Sequence, residues 1–160
     1  RPFSVSHDAV RPVGYSISST STSICSATDT GIITPQLHES ALAADLLIVE
    51  SNHDVEMLRA GPYPAYLKQR IASDVGHLSN ATTALLLAEL ADSGRPASVW
   101  LAHLSRTNNS PKMALEAARE ATGSRLGHNL KIEVARRDVP SARWEQGRKV
   151  FQLSLFGPSR

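Results

Sequence analysis

Residues 45–54 read DLLIVESNHD, in which four apolar residues stand between an aspartate and a polar segment that begins with Glu50. A short apolar run bounded by polar residues predicts a buried β-strand. The next residues, 55–59, have helical spacing. A buried strand that leads directly into a helix is the unit of layered α/β folds, so this stretch decides the fold class.

The same alternation of strands and helices continues on both sides of this stretch. Residues 13–26 predict two short strands and a turn, because Thr and Ile suit a pleated surface, although the Ser/Thr-rich run SISSTSTSICS also suits a flexible linker. Further helices are predicted over 35–44, 65–74, from the Ser79-Asn80 cap to about 92, and from the Ser110 cap with Pro111 to Gly123. Further strands are predicted over 98–102, 131–134 and 150–155. The chain is therefore expected to form an α/β fold.

Composition limits the class of protein. The 160 residues carry 17 Lys+Arg and 15 Asp+Glu, a formal net charge of +2, and 41% are hydrophobic, which suffices for one domain with a core and excludes a disordered tail. A charge of +2 gives no broad electrostatic footprint for nucleic acid. The longest apolar run, residues 84–88, is far shorter than the ~20 residues of a membrane span. No membrane association is expected.

The single cysteine bears on the cellular compartment of the protein, and the first residues bear on where its domain begins. Cys25 excludes an internal disulfide and a Cys-based zinc finger, and it fits a reducing compartment, so a cytoplasmic location is expected. The chain opens RPFSV, without an initiator Met or a signal peptide. It is therefore expected to begin inside a longer domain.

Acidic and imidazole side chains follow the predicted strands. Asp29, His53 and His103 each come after a different strand, and ligands of open α/β sheets bind at the carboxyl ends of the strands. His77 comes just before a helix N-terminus, whose N–H groups favour an anion. Carboxylate and neutral imidazole suit Zn, Mn or Fe, so the sequence predicts a metal site at one edge of the sheet.

Each of these residues also has an ordinary structural explanation. Asp29-Thr-Gly31 can be a simple turn, His53-Asp54 a helix cap and Asn108-Asn109 a loop before a helix. His38 and His128 have no partner pattern and are predicted at the surface.

The segment Asp29-Thr-Gly31 also resembles the catalytic loop of aspartic proteases, in which two such loops share a proton between carboxylates. That family is nearly all-β and usually has Ser or Ala after the glycine. Here Ile32 follows, and helical patterns come next. The protease interpretation is therefore disfavoured.

A more specific resemblance rests on several blocks in a fixed order. They are Ser6-His-Asp-Ala9, Pro12-Val-Gly-Tyr15, Thr28-Asp-Thr-Gly31, Glu50-Ser-Asn-His-Asp54 with Met57-Leu58, Gly61-Pro-Tyr-Pro64, Leu67-Lys68 with Arg70-Ile71, Gly76-His-Leu-Ser-Asn80, and Leu101-Ala-His-Leu-Ser105 with Asn108-Asn109. Over about residues 1–135 the chain resembles the metallo-β-lactamase fold, in the YycJ/WalJ-like branch of metal-dependent hydrolases. That branch is related to the ribonuclease Z-type nucleases.

The resemblance implies a fold, cofactors and site residues. The implied fold is the C-terminal half of an αββα sandwich, a mixed sheet with flanking helices. The implied cofactors are two divalent metal ions, Zn or Mn with Fe possible. By resemblance, His7 completes the shell of the first metal, Asp29 bridges both metals and His103 binds the second. His77 matches the catalytic histidine that contacts the phosphate and helps to protonate the leaving group. Pocket or supporting roles are implied for Asn52, His53, Asn80 and Asn109.

The sequence departs from this family at its main metal motif, His-x-His-x-Asp-His. The six histidines stand at 7, 38, 53, 77, 103 and 128, and no two of them are two residues apart. Residues 1–160 are therefore expected to be one partial domain that lacks the N-terminal half and four metal ligands. The three remaining ligands are expected to bind metal weakly, because a preformed shell provides most of the affinity.

Two hypotheses about function follow. In its intact form the protein is a metal-dependent hydrolase, a phosphodiesterase or nuclease with a nucleic acid substrate, although a small-molecule ester would use the same metals. Lys68, Arg70 and Arg106 stand near the motifs and can contact phosphate, or they can be ordinary helix-face charges. Alternatively, the chain is a non-catalytic half-domain that docks onto a partner half. The sequence leaves the oligomeric state open.

Overall fold

The computed structural model describes residues 1–95, 97–123, 129–140 and 143–145. Within these ranges six strands form one sheet: β1 (Pro2–Ser4), β2 (Val13–Ser18), β3 (Ser23–Ala27), β4 (Leu46–Glu50), β5 (Ala97–Ala102) and β6 (Leu130–Val134). The helices of these ranges are α1 (Pro35–Leu42), α2 (Val55–Ala60), α3 (Ala65–Ile71), α4 (Asn80–Asp92) and α5 (Pro111–Thr122).

The strands lie in the sheet in chain order, from β1 to β6. The β1–β2 and β2–β3 pairs are antiparallel, and β3, β4, β5 and β6 pair in parallel. A parallel connection needs a crossover, and helices provide it here. The mixed α/β sheet and the two strands expected within residues 13–26 are confirmed. The strand predicted over 150–155 and His128 lie outside the described residues.

Helix starts follow the predicted capping chemistry. The Ser79 and Ser110 hydroxyls accept hydrogen bonds from backbone N–H groups in the first turns of α4 and α5, which satisfies one otherwise unpaired donor in each helix. Asp54 caps α2 in the same way. Gly123 follows α5 with a φ of 55°, a conformation that costs glycine little.

The core lies between one face of the sheet and helices α1, α4 and α5. Leu47 and Val99 on the sheet and Leu37, Leu87 and Leu90 on the helices are fully buried, and burial of each such side chain stabilises the fold by about 1.5–3 kcal/mol. On the opposite face, alternate side chains are half-buried.

The single cysteine and the helices of the described ranges bear on the expectations about the thiol and the membrane. Cys25 has no exposed surface, and burial raises the pKa of its thiol to about 12. In the described ranges no helix combines the length and the apolar character that crossing a bilayer requires.

The parallel arrangement positions the polar residues. Because β3, β4 and β5 run in the same direction, their carboxyl ends meet at one edge of the sheet. The loop after β3 turns sharply at Gly31, where a Cβ atom would lie 2.3 Å from the backbone oxygen of Asp74. The glycine of the Asp-Thr-Gly segment is thus required by a close approach of two loops.

Candidate metal centre

The carboxyl ends of the three parallel strands bring an aspartate, a glutamate and a histidine together. Asp29 comes two residues after β3, Glu50 is the last residue of β4 and His103 is the first residue after β5. Asp29 and His103 have φ values of 56° and 55°, a left-handed conformation that non-glycine residues seldom adopt. Such strain costs about 1–3 kcal/mol and is concentrated at functional sites.

Three imidazoles surround the half-exposed Asp29 carboxylate. Its Oδ1 atom lies 3.7 Å from Nε2 of His7, 3.7 Å from Nδ1 of His103 and 3.9 Å from Nδ1 of His77. The ring centroid of His77 is 5.0 Å from that of His7 and 5.3 Å from that of His103. Residues far apart in sequence thus form one cluster around a single carboxylate.

Glu50 lies beneath this cluster and has no exposed surface. Its Oε1 atom accepts hydrogen bonds from Nδ1 of His103 at 2.6 Å and from Nδ1 of His77 at 2.8 Å. Its Oε2 atom accepts from the backbone N–H of Thr30 at 3.0 Å and of Leu78 at 3.4 Å. Sequence reasoning missed Glu50, and the available signal was a carboxylate that ends a fully apolar strand.

The hydrogen bonds keep Glu50 ionised. Burial alone raises the pKa of Glu50, but the hydrogen bonds from His103, His77 and Thr30 outweigh burial and lower the pKa to about 2. An ionised carboxylate only accepts hydrogen bonds, so both imidazoles donate from Nδ1. The hydrogen bond to Glu50 also raises the pKa of His103.

The third imidazole is oriented by the backbone. Nδ1 of His7 donates to the carbonyl oxygen of Gly76 at 3.0 Å, and Nε2 faces Asp29. When the imidazole is neutral, a hydrogen bond from one ring nitrogen leaves the other as an acceptor or a metal ligand. Carboxylates and carbonyls in this position are what orients metal-binding histidines in proteins.

The donor set fits a divalent cation. Asp29, Glu50, His77 and His103 each offer one ligand atom, and these four atoms lie within 4.8 Å of one another. Imidazole and carboxylate ligands together suit Zn or Mn. His7 is not one of these four residues, but its Nε2 atom lies 3.7 Å from Oδ1 of Asp29. The structure thus brings His7, Asp29, His77 and His103 together in one place.

Asn52 and the Asn80–Asn109 pair lie behind the cluster rather than in it. Asn52 donates from Nδ2 to the carbonyl oxygen of His103 at 2.8 Å, which holds the loop after β5. Asn80 and Asn109 donate to each other's Oδ1 atoms at 3.0 and 2.9 Å, and Nδ2 of Asn109 also reaches the Ser51 carbonyl at 2.8 Å. These buried amides join the starts of α4 and α5 to the loop after β4.

His53 is buried and is not one of the four residues whose ligand atoms cluster. It is 2% exposed, its carbonyl accepts the backbone N–H of Asn80, and burial lowers the pKa of its ring. Nδ1 of His53 has no hydrogen-bond partner among the described residues. His38, predicted at the surface, bonds to Glu89 through a contact of 2.6 Å that is exposed to solvent.

A cleft of about 370 Å³ opens above the cluster. Arg70 lines it, and Nε of Arg70 donates to Oδ2 of Asp8 at 2.5 Å, which lowers the pKa of that carboxyl. Of the other cations expected near the site, Lys68 lines a different recess and Arg106 pairs with Asp138. A neighbouring hollow of about 580 Å³ shares His77 and His103 with the cleft and is bordered by Arg137.

Comparison with known proteins identifies relatives. The chain is 41% identical over 112 residues to "Exodeoxyribonuclease YycJ" of Bacillus anthracis, an alignment that covers 70% of this chain and 42% of that protein. It is 42% identical over 112 residues to "Exodeoxyribonuclease WalJ" of Streptococcus pneumoniae, covering 70% of this chain and 41% of the relative. The chain therefore spans about two fifths of the length of the curated relatives that it matches. No family model matches.

Proposed function

We propose that the intact protein hydrolyses phosphodiester bonds of DNA with divalent metal ions, because the chain is a homologue of the exodeoxyribonucleases YycJ and WalJ and its motifs resemble those of the metallo-β-lactamase hydrolases. The names of the relatives support a hydrolase that acts on nucleic acid. We propose further that the substrate is DNA, that two metal ions are bound, and that the complete fold is an αββα sandwich.

One observation carries the proposal. Three histidines from three different loops surround the Asp29 carboxylate, and the buried Glu50 accepts a hydrogen bond from two of them. This arrangement carries a desolvation penalty, because the charged Glu50 side chain has no contact with solvent. A fold that needed only stability would fill this position with an apolar side chain.

We assign ligand roles to His7, Asp29 and His103. Divalent ions held by these three residues would supply Lewis-acid polarisation of a phosphoryl oxygen and activation of water at neutral pH. The ring of His7 is held by the Gly76 carbonyl, and the ring of His103 is held by Glu50. The backbone carbonyl of His103 is held by the Asn52 side chain. The sequence contains no His-x-His-x-Asp-His motif, so the further ligands that the family implies are not among these residues.

We assign proton transfer to His77. Nδ1 of His77 donates to Glu50, so Nε2 is the nitrogen available to the substrate in the neutral ring. In the cationic form of the ring, Nε2–H can hydrogen-bond a phosphate oxygen and donate a proton to the leaving group. Glu50 is a positioning residue in this proposal, since it acts through His77 and His103.

Cations near the cleft support a phosphate-bearing substrate locally. Arg70 lines the cleft beside the cluster and is paired with Asp8, a carboxylate at the surface. A substrate phosphate can replace Asp8 as the partner of Arg70. Arg137 borders the neighbouring hollow and donates to the carbonyl of Leu104. The net charge of +2 limits the electrostatic contribution to such local contacts.

The remaining expectations stay predictions. They are a cytoplasmic location, residues 1–160 as one partial domain, and supporting roles for Asn52, His53, Asn80 and Asn109. The small-molecule ester and the non-catalytic half-domain are the competing outcomes of the test below.

The proposal is tested in two steps on the purified intact protein. Calorimetric titration with Mn²⁺ and Zn²⁺ measures binding to the wild type and to Asp29→Asn, with Asp74→Asn as a surface control. End-labelled DNA and bis(p-nitrophenyl) phosphate are then offered with each metal. We expect metal binding that Asp29→Asn weakens at least tenfold, and metal-dependent release of nucleotides from DNA by the intact protein. Hydrolysis of the small phosphodiester without DNA cleavage would support the ester alternative, and an intact protein without metal binding would contradict the proposal.

A further inference from the structure

A second recess, of about 430 Å³, adjoins the metal cleft. The cleft and the recess share one lining residue, His77, to which proton transfer is assigned. The recess therefore lies directly beside this imidazole. Its walls come from α2, α3 and the start of α4. A substrate that contacts His77 in the cleft therefore has a second compartment within reach.

The recess is suited to a small, flat and largely apolar group. Val55, Leu58 and Ala72 line it, and its volume lies within the ~300–1,000 Å³ that is typical of small-molecule sites. The Gln69 amide, which both donates and accepts hydrogen bonds, stands among these apolar groups. Apolar walls with a few polar groups are the pattern by which proteins take up heterocycles.

His53 contributes an unused polar group to the same recess. The side chain is 2% exposed and lines the recess, and its Nδ1 atom has no hydrogen-bond partner in the described part of the chain. Most buried polar groups in proteins are hydrogen-bonded, so an exception requires an explanation. The ring also lies in the wall of the recess, where a bound aromatic group would pack against it.

The two cations at the rim of this recess have partners within the protein. Arg59 is bonded to Glu56 at 2.6 and 2.9 Å, and the Lys68 ammonium donates to the Arg59 carbonyl at 2.7 Å. At the start of α4, the Ser79 hydroxyl already accepts the backbone N–H of Thr82. Arg59 and Lys68 thus stand at the rim with partners of their own, and the apolar residues form the walls.

We propose that this recess binds a nucleobase of the DNA strand, next to the phosphate held in the cleft. The inference rests on the proposed function, because it places a nucleotide across His77 with its phosphate on one side and a base on the other. Imidazole rings and apolar side chains are general partners of unstacked bases, so the recess would take an unpaired nucleotide rather than a duplex.

The test compares short strands with and without bases. Fluorescence anisotropy with EDTA present, which prevents cleavage, measures binding of labelled dT₃ and dA₃ and of trinucleotides that carry one abasic site at each position in turn. Ala72→Trp fills the recess from an exposed position directly after α3, where the backbone has a φ of −84° and a ψ of 0°, so that no positive φ strains the new side chain. Ala65→Trp adds the same side chain at an exposed position of the same helix that lines neither the recess nor the cleft. Circular dichroism verifies that both variants are folded.

We expect one abasic position to weaken binding at least fivefold in the wild type and in Ala65→Trp, and to have no effect in Ala72→Trp. Equal affinity for intact and abasic strands would overturn the recess proposal and leave the nuclease proposal standing. A loss in Ala72→Trp that is equal for intact and abasic strands would also overturn it, because the recess would then hold backbone or phosphate. Failure of every strand to bind or to be cleaved by the intact protein would contradict the proposed function itself.

Discussion

Oε1 of Glu50 and Nδ1 of His103 lie 2.6 Å apart, and the carboxylate of this pair is completely buried while the imidazole is partly exposed. The same oxygen atom also accepts from His77. One interior charge thus sets the orientation of two surface imidazoles, one assigned to metal binding and one to proton transfer.

Replacement of Glu50 by glutamine tests this relationship. Glu50→Gln keeps the size of the side chain and removes the charge that accepts hydrogen bonds from both imidazoles, so the pKa of His103 is expected to fall from its raised value. Disruption of a buried charged network costs about 3–5 kcal/mol of unfolding free energy when one partner is removed, which is the upper limit for this isosteric change. NMR titration of the histidine Cε1–H signals and urea unfolding measure the two effects. The exposed Glu56→Gln should change neither, and an unchanged His103 pKa in Glu50→Gln would refute the orienting role.

Replacement of Asp29 separates chemistry from folding. Asp29→Asn retains a residue type that tolerates a φ of 56°, so the free energy of unfolding should change by less than about 1 kcal/mol. Metal affinity and metal-dependent hydrolysis by the intact protein should fall at least tenfold, because the carboxylate at the centre of the three imidazoles loses its charge. Asp29→Ala should abolish hydrolysis with a larger loss of stability. Hydrolysis that survives in both variants would remove Asp29 from the site.

The stability of the fold should depend on pH through the Glu50–His103 pair. The pKa of Glu50 is about 2 in the folded chain and 4.5 ordinarily, so its contribution is complete above pH 4.5 and is lost as the pH falls towards 2. This difference corresponds to about 3 kcal/mol. The pKa of His103 is raised above 6.5, so its contribution is complete below pH 6.5 and is lost as the pH rises through the folded value. Thermal unfolding from pH 2 to 9 should show greatest stability between about pH 4.5 and 6.5 for this pair, and Glu50→Gln should flatten the curve on both sides.

The Asn80–Asn109 amide pair should be energetically coupled. Asn109→Ala leaves Nδ2 of the buried Asn80 without its partner, at a cost of about 1–3 kcal/mol, whereas in Asn80→Ala the Asn109 amide keeps the Ser51 carbonyl and the Ser110 N–H. The double variant loses both partners together, so its loss should be smaller than the sum, with a coupling of about 0.5–3 kcal/mol. Urea unfolding of the two single variants and the double variant completes the cycle. Strict additivity would show that the two amides do not stabilise the fold through each other.

Much of the fold followed from local patterns. The run from Leu46 to Val49 predicted β4 because an uninterrupted apolar segment of this length suits a strand buried between neighbours. The caps of α4 and α5 were equally predictable, since Ser79 and Ser110 act on N–H groups only three residues away. Patterns of this kind are local in sequence, and so a single sequence records them.

The site was predictable only in part. The positions of Asp29 and His103 after parallel strands indicated a common edge, and their side chains do meet there. Glu50 was missed because its local signal, a carboxylate at the end of an apolar strand, fits an exposed residue as well as a buried one. Its burial depends on His77 and His103, which are 27 and 53 residues away.

The sequence by itself determined the alternation of strands and helices, the start of each capped helix and the residue types available at the strand ends. The tertiary structure alone decided which atoms of those residues face one another: Nε2 of His7 towards Asp29, and Nδ1 of His77 and His103 towards Glu50. The physical reason is that periodicity and capping depend on neighbours along the chain. The pKa of a carboxylate and the available nitrogen of an imidazole depend instead on the groups that pack around them in space.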